Sequence, residues 1–216
     1  MTRFIDHSHP IEHGMITYQG LPGPKISEFL TRAASKEHYS GDTTFSIGSI
    51  DMVANTGTYI DAPFHRYSEG GDLAKFSLDI LADVPGILIR GEGTAIDAAS
   101  FKGYDCRKRA VLIRSDWSRH WGTEQYFNGH PFLTRDAAEY LVRAGAVLVG
   151  IDSYNIDDTA DGTRPAHSLL LQAEIPIVEH LCHLDLLPDS EFRFFAVPPP
   201  IRGLGSFPVR AFSIVR

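Results

Sequence analysis

The chain has 216 residues, 20 Lys+Arg against 27 Asp+Glu, a formal net charge of −7 and 43% hydrophobic residues. That length suits one ordinary domain burying roughly 70–75% of its unfolded surface, and the composition excludes disorder, collagen and coiled coil. A pI near 5.8 leaves no basic surplus to neutralise phosphates, so no nucleic-acid partner is expected. Cys106 and Cys182 are too few for a disulfide scaffold. The start, MTRFIDHSHP, does not read as a signal peptide, and the longest apolar run, 144–151, is far short of the ~20 residues that span a bilayer. A soluble, cytoplasmic protein with no membrane partner is the expectation.

Residues 26–36 read as a helix with Leu30, Ala33 and Ala34 on one face. Residues 45–53, 84–90 and 110–115 are short and rich in Val, Ile and Phe, as strands are. Residues 136–143 form a stronger helix signal, with Thr134 placed to cap it, Asp136 in its first turn and Gly145 past its end. A strand at 146–152 follows, then a short helix at 167–173 just after Pro165. Strands at 192–197 and 209–215 close the chain. The triple proline 198–200 lies between them and reads as a loop inside one domain, because a terminal strand needs a sheet to join. Strands separated by connections longer than hairpins argue for α/β or α+β with a mixed sheet.

Chemistry concentrates in two segments. In NTGTYIDAPFH, Asn55, Tyr59, Asp61 and His65 fall at even offsets, which an extended chain projects to one face. Gly57 and Pro63 interrupt a regular ladder there, as irregular backbone beside a site would; a polar turn is the plainer alternative. In RPAHSLLLQAEIPIVEH, His167 opens a short helix and Glu179 ends a strand-like apolar run, where α/β proteins often place functional groups.

The first segment resembles the signature His-x-Gly-Thr-His-x-Asp-x-Pro-x-His of the cyclase family of metal-dependent hydrolases, which includes kynurenine formamidase and isatin hydrolase. Gly57, Thr58, Asp61, Pro63 and His65 match it in register. The opening IDHSHPI, the VGID at 149–152 and residues 203–212 also look like family segments. The resemblance implies a single cyclase-like domain over residues 1–216: an α/β fold, swivelling β/β/α, with a mixed or barrel-like sheet flanked by helices. It implies hydrolysis of a small aryl or cyclic amide or lactone, most like arylformamidase action on N-formylkynurenine in tryptophan catabolism. It implies metal ligation by Asp61, His167 and Glu179, and a base or acid role for His65. Similar proteins are homodimers or homotetramers.

Two signature histidines are replaced, by Asn55 and Tyr59. An amide oxygen is a weak ligand and a neutral phenol a weaker one. One divalent ion per chain is therefore expected, Zn²⁺ or Mn²⁺ with Mg²⁺ as the other option. Tyr59 or Asn55 is then free to donate a hydrogen bond to a developing oxyanion. Trp117, Tyr154 and Phe64 are expected to bind substrate, with Trp121 and Arg119 beside Trp117. His7, His9 and His13 are expected at a pocket edge. The same replacements motivate a rival reading, a metal-free small-molecule binding protein on the same fold.

Overall fold

Val, Ile and Leu at alternating positions build the centre of the molecule, which a computed structural model describes over residues 2–216. In chain order the strands are β1 (Arg3–Asp6), β2 (Lys25–Leu30), β3 (Ile47–Asp51), β4 (Tyr59–Asp61), β5 (Val84–Arg90), β6 (Ala95–Ile96) and β7 (Ala110–Arg114). There follow β8 (Phe132–Leu133), β9 (Leu148–Ile151), β10 (Ile177–Glu179), β11 (Phe192–Phe195), β12 (Ser206–Pro208) and β13 (Phe212–Val215). The helices are α1 (Arg32–Ser35), α2 (Arg135–Ala144) and α3 (Pro165–Gln172). Nine strands form one mixed sheet in the order β1-β13-β11-β5-β7-β9-β10-β4-β12. Its middle, β5-β7-β9-β10, is parallel, and both flanks are antiparallel.

The parallel strands are buried on both faces, as such strands must be. Ile87, Ile89, Val111, Ile113, Val149, Ile151 and Ile177 point to one face and pack with Ala138 and Leu141 of α2 and Leu170 of α3. The alternate positions Leu88, Leu112, Leu148 and Val178 point to the other, against Ile60, Leu184 and Phe194. The mixed-sheet α/β core expected from the sequence is the one the chain forms. Pro165 opens α3, and Gly145 ends α2 at φ 76, where a side chain would be strained. Thr134 precedes α2, but its hydroxyl bonds Asp136 and Ile96 rather than capping the helix N–H groups.

The helix expected over residues 26–36 is a correction. Lys25–Leu30 pairs with β3 as an exposed two-stranded ribbon, Ile26 opposite Ile50 and Ser27 opposite Ser49. Only Arg32–Ser35 is helical, capped by the Thr31 hydroxyl, which accepts from Ala34 N–H at 3.1 Å. Cross-strand partners some twenty residues away outcompeted a helix whose apolar face had no core to enter. No helix among the described residues is long and apolar enough to cross a membrane.

Candidate functional site

The short strand β4 sits between β10 and β12, and its register assembles the site. Tyr59 lies opposite Glu179 on one side, and Asp61 lies opposite Ser206 on the other. The Tyr59 hydroxyl donates to Glu179 Oε2 at 2.5 Å, and the Ser206 hydroxyl donates to Asp61 Oδ1. After Asp61 the chain turns through Pro63–His65, a single 3-10 turn with Pro at its start. That turn returns His65 toward β12, with Nδ1 at 2.9 Å from Ser206 Oγ. Ser206 has one proton and gives it to the carboxylate, so toward His65 it accepts. The His65 Nδ1 therefore carries the hydrogen, and Nε2 keeps a free lone pair. Gly205 permits the approach, because a Cβ there would stand 2.3 Å from His65 N.

Helix α3 supplies His167. Its N-cap position is Arg164, which caps nothing. The work falls to Asp157, which accepts from Ala166 N–H at 2.6 Å, His167 N–H at 3.0 Å and the His167 ring Nδ1 at 2.7 Å. The ring is thereby held with Nε2 at 3.6 Å from Asp61 Oδ2 and 3.8 Å from Glu179 Oε1. Glu179 Oε1 also accepts from Ile156 N–H at 2.6 Å. Burial opposes charge on His167, yet Glu179, the Asp157 hydrogen bond and Asp61 together hold its pKa up to about 10. Burial raises Glu179 to about 7 against the counter-charge of His167, and burial with the two carboxylates raises the Tyr59 phenol well above its usual value.

Asp61, Asp157 and Glu179 are all 0% exposed. Three buried carboxylates facing one imidazole call for further positive charge. Asp61 Oδ2 is buried without a hydrogen-bond partner. Ligand atoms from Asp61, His65 and His167 lie within 4.8 Å of one another. Two ligands ~2.1 Å from a common tetrahedral ion stand ~3.4 Å apart, close to the 3.6 and 3.8 Å separations around His167 Nε2. A His whose other nitrogen is fixed by a carboxylate is the usual outer support of a metal ligand. Asp61 and His167 fit one divalent cation, with His65 completing the close group on one side and Glu179 Oε1 standing 3.8 Å from His167 Nε2 on the other.

Asn55, Tyr59, His65 and His167 line a cavity of ≈260 Å³ together with Tyr18, Leu21, Arg66, Asn155 and Arg164. Asn155 accepts from Asp157 N–H through its amide oxygen at 2.9 Å, which leaves its NH₂ for the cavity. Trp117, Tyr154 and Phe64 are not brought to this lining. Trp117 donates its indole N–H to Tyr126 O at 3.0 Å, and Tyr154 stands behind Tyr18, ring centroids 4.6 Å apart. Of the early histidines, His7 is buried between Cys182 O and Ser213, His9 stacks on Trp121 at 3.9 Å, and His13 is exposed. Asp157, Ser206 and the two arginines escaped the sequence reading. For Asp157 a signal existed: a proline-led helix preceded by arginine lacks a local cap and must borrow one.

A family model described as "Putative cyclase" matches residues 5–158. The kynurenine formamidase of Bacillus cytotoxicus is 26% identical over 211 residues, covering 97% of this chain and 96% of that protein. The kynurenine formamidase of Bacillus anthracis is 28% identical over the same coverage. A solved structure described as a "potential metal-dependent hydrolase with cyclase activity" superposes at TM-score 0.82 and 26% identity, covering 100% of this chain and 99% of that one. An isatin hydrolase bound to the product analogue thioisatinate superposes at TM-score 0.81 over 99% of this chain and 92% of its own, and at 22% identity it shows the shared fold alone.

Proposed function

Because the chain belongs to the cyclase family, whose model spans residues 5–158 of it, we propose that it is a metal-dependent hydrolase of a small aryl or cyclic amide or lactone. The kynurenine formamidase relatives favour an arylformamidase, cleaving the formamide C–N bond of N-formylkynurenine with water to give formate and the free amine. The observation that carries the reading is the approach of two fully buried carboxylates, Asp61 and Glu179, to His167 Nε2 at 3.6 and 3.8 Å, with Asp61 Oδ2 left without a hydrogen-bond partner.

Asp61, His167 and Glu179 would hold one divalent ion. When bound, such an ion acts as a Lewis acid and lowers the pKa of water toward neutrality. His65, its Nδ1 hydrogen turned to Ser206, presents Nε2 as the base that takes a proton from water and returns it to the leaving nitrogen. Asn55 and Asn155 line the cavity with carboxamides that can donate to a developing oxyanion. The Tyr59 proton is engaged by Glu179 at 2.5 Å, so the phenol holds that carboxylate in place before it can serve an oxyanion.

The test pairs elemental analysis of protein purified without chelator with formate release from N-formylkynurenine. About one ion per chain, lost in Asp61→Asn together with activity, supports the reading. Protein that takes up neither Zn²⁺ nor Mn²⁺ overturns it, and the replaced positions Asn55 and Tyr59 then favour a metal-free binding protein.

A further inference from the structure

The cavity has two electrostatic ends. Its floor is the buried acidic cluster, whereas its rim carries Arg66, exposed, and Arg164, half-buried. Among the described residues neither guanidinium lies within ion-pair distance of a carboxylate; other arginines such as Arg3 and Arg119 share this condition, but these two meet at one cavity. Both are instead anchored by neutral groups. Arg66 donates through Nε to Ser168 Oγ at 3.3 Å, and its guanidinium stands 5.2 Å from the Tyr67 ring centroid. Arg164 donates through one terminal nitrogen to Asp158 O at 2.9 Å. Each side chain is thus held by part of its donor set, with full charge and further N–H groups left over.

Backbone preference does not explain Arg164. It occupies the left-handed region at φ 47 and ψ 63, where glycine or asparagine is at ease and a long side chain is strained. Nor does overall charge explain the pair. The chain carries a net charge of −7, yet two arginines without an ion-pair partner stand together at one cavity mouth. Tyr18 and Leu21 also line the cavity, the Tyr18 ring braced by Tyr154. A volume of ≈260 Å³ admits a compound of about one ring.

We propose that Arg66 and Arg164 form an anion clamp, and that this chain acts on a one-ring acyl compound whose carboxylate is bound at the rim while its scissile carbonyl faces the floor. The proposal rests on the hydrolase reading for the reaction, but not for the binding. Arginine suits the task because its planar fork meets a carboxylate through two parallel hydrogen bonds.

The test is calorimetric binding of anthranilate and its neutral counterpart anthranilamide to the protein as purified, to Arg66→Gln, and to the Arg66→Gln/Arg164→Gln double variant. Arg66 is exposed, so its replacement leaves the fold intact. Anthranilate should bind the parent about 10- to 100-fold more tightly than anthranilamide, as charge-assisted pairing implies. The preference should shrink in Arg66→Gln and fall to within about twofold in the double variant, with anthranilamide affinity and metal content unchanged. Equal affinities in the parent would overturn the clamp. So would a preference that survives in the double variant, since the carboxylate would then be bound at the floor. Hydrolysis of N-formylkynurenine, followed in parallel, separates the two ideas: a clamp without turnover counts against the hydrolase reading alone, and turnover without preference sinks the clamp alone.

Discussion

Replacing Asp157 by Asn probes the support of the ion site without touching a proposed ligand. The Asp157 carboxylate accepts three N–H groups at 2.6, 3.0 and 2.7 Å, two from the start of α3 and one from the His167 ring. An Asn side chain has one oxygen to offer and turns an NH₂ toward whatever the second oxygen served. At least one charge-assisted bond is lost, worth about 1.5–3 kcal/mol at a buried position. For a chain of this size that lowers the melting temperature by roughly 3–10 °C. If the NH₂ faces the ring, Nδ1 must accept, and the proton moves to Nε2, the atom that points at Asp61 and Glu179. Metal affinity should then fall about 10- to 100-fold, or about 1.4–2.7 kcal/mol. Zn²⁺ competition against a fluorescent chelator reads the affinity, and circular dichroism of the metal-free protein reads the stability. A Zn²⁺ affinity within twofold of the parent would refute the claim that Asp157 sets the His167 tautomer.

Three further outcomes follow from the same geometry. Tyr59→Phe leaves Glu179 Oε2 buried without its donor, so metal-free stability should fall by about 1–3 kcal/mol while turnover changes a few-fold; a loss of 10²-fold or more at unchanged metal content would make the phenol a direct oxyanion donor instead. Gly205→Ala sets a methyl against the backbone of His65, 2.3 Å from N and 2.4 Å from Cα, so either β12 or the 3-10 turn must move. Activity should drop by about 10²-fold, with destabilisation of about 1–3 kcal/mol, and near-parental turnover would show that His65 need not be so placed. Burial depresses His7 to about 4, so between pH 6.5 and 4 the unfolded chain binds a proton there that the folded chain does not. Stability from this group is present above pH 6.5 and is lost as pH falls, to a limit of about 3 kcal/mol. Urea midpoints at pH 7 and 4.5 should differ accordingly, the difference shrinking in His7→Gln; an equal difference in both proteins would exclude His7 as the cause.

What the sequence determined is what short-range pattern can carry. Short runs rich in Val, Ile and Leu at 84–90 and 110–115 marked strands, and Pro165 and Gly145 marked a helix start and a helix end. The spacing of Asp61 and His65, and the family segment around them, marked the segment from which both residues join His167 in one cluster. Only tertiary structure decided the rest, because the deciding partners are remote in the chain. Residues 25–30 became a strand through residues 47–51, against their own helical pattern. Tyr59 is committed to Glu179, 120 positions away, and His65 owes its tautomer to Ser206, 141 positions away. Arg66 and Arg164 share a cavity mouth because the turn after β4 meets α3, Arg66 Nε donating to Ser168 Oγ. A side chain's type is local information, but its charge state, its hydrogen-bond partner and the face it presents belong to the packing around it.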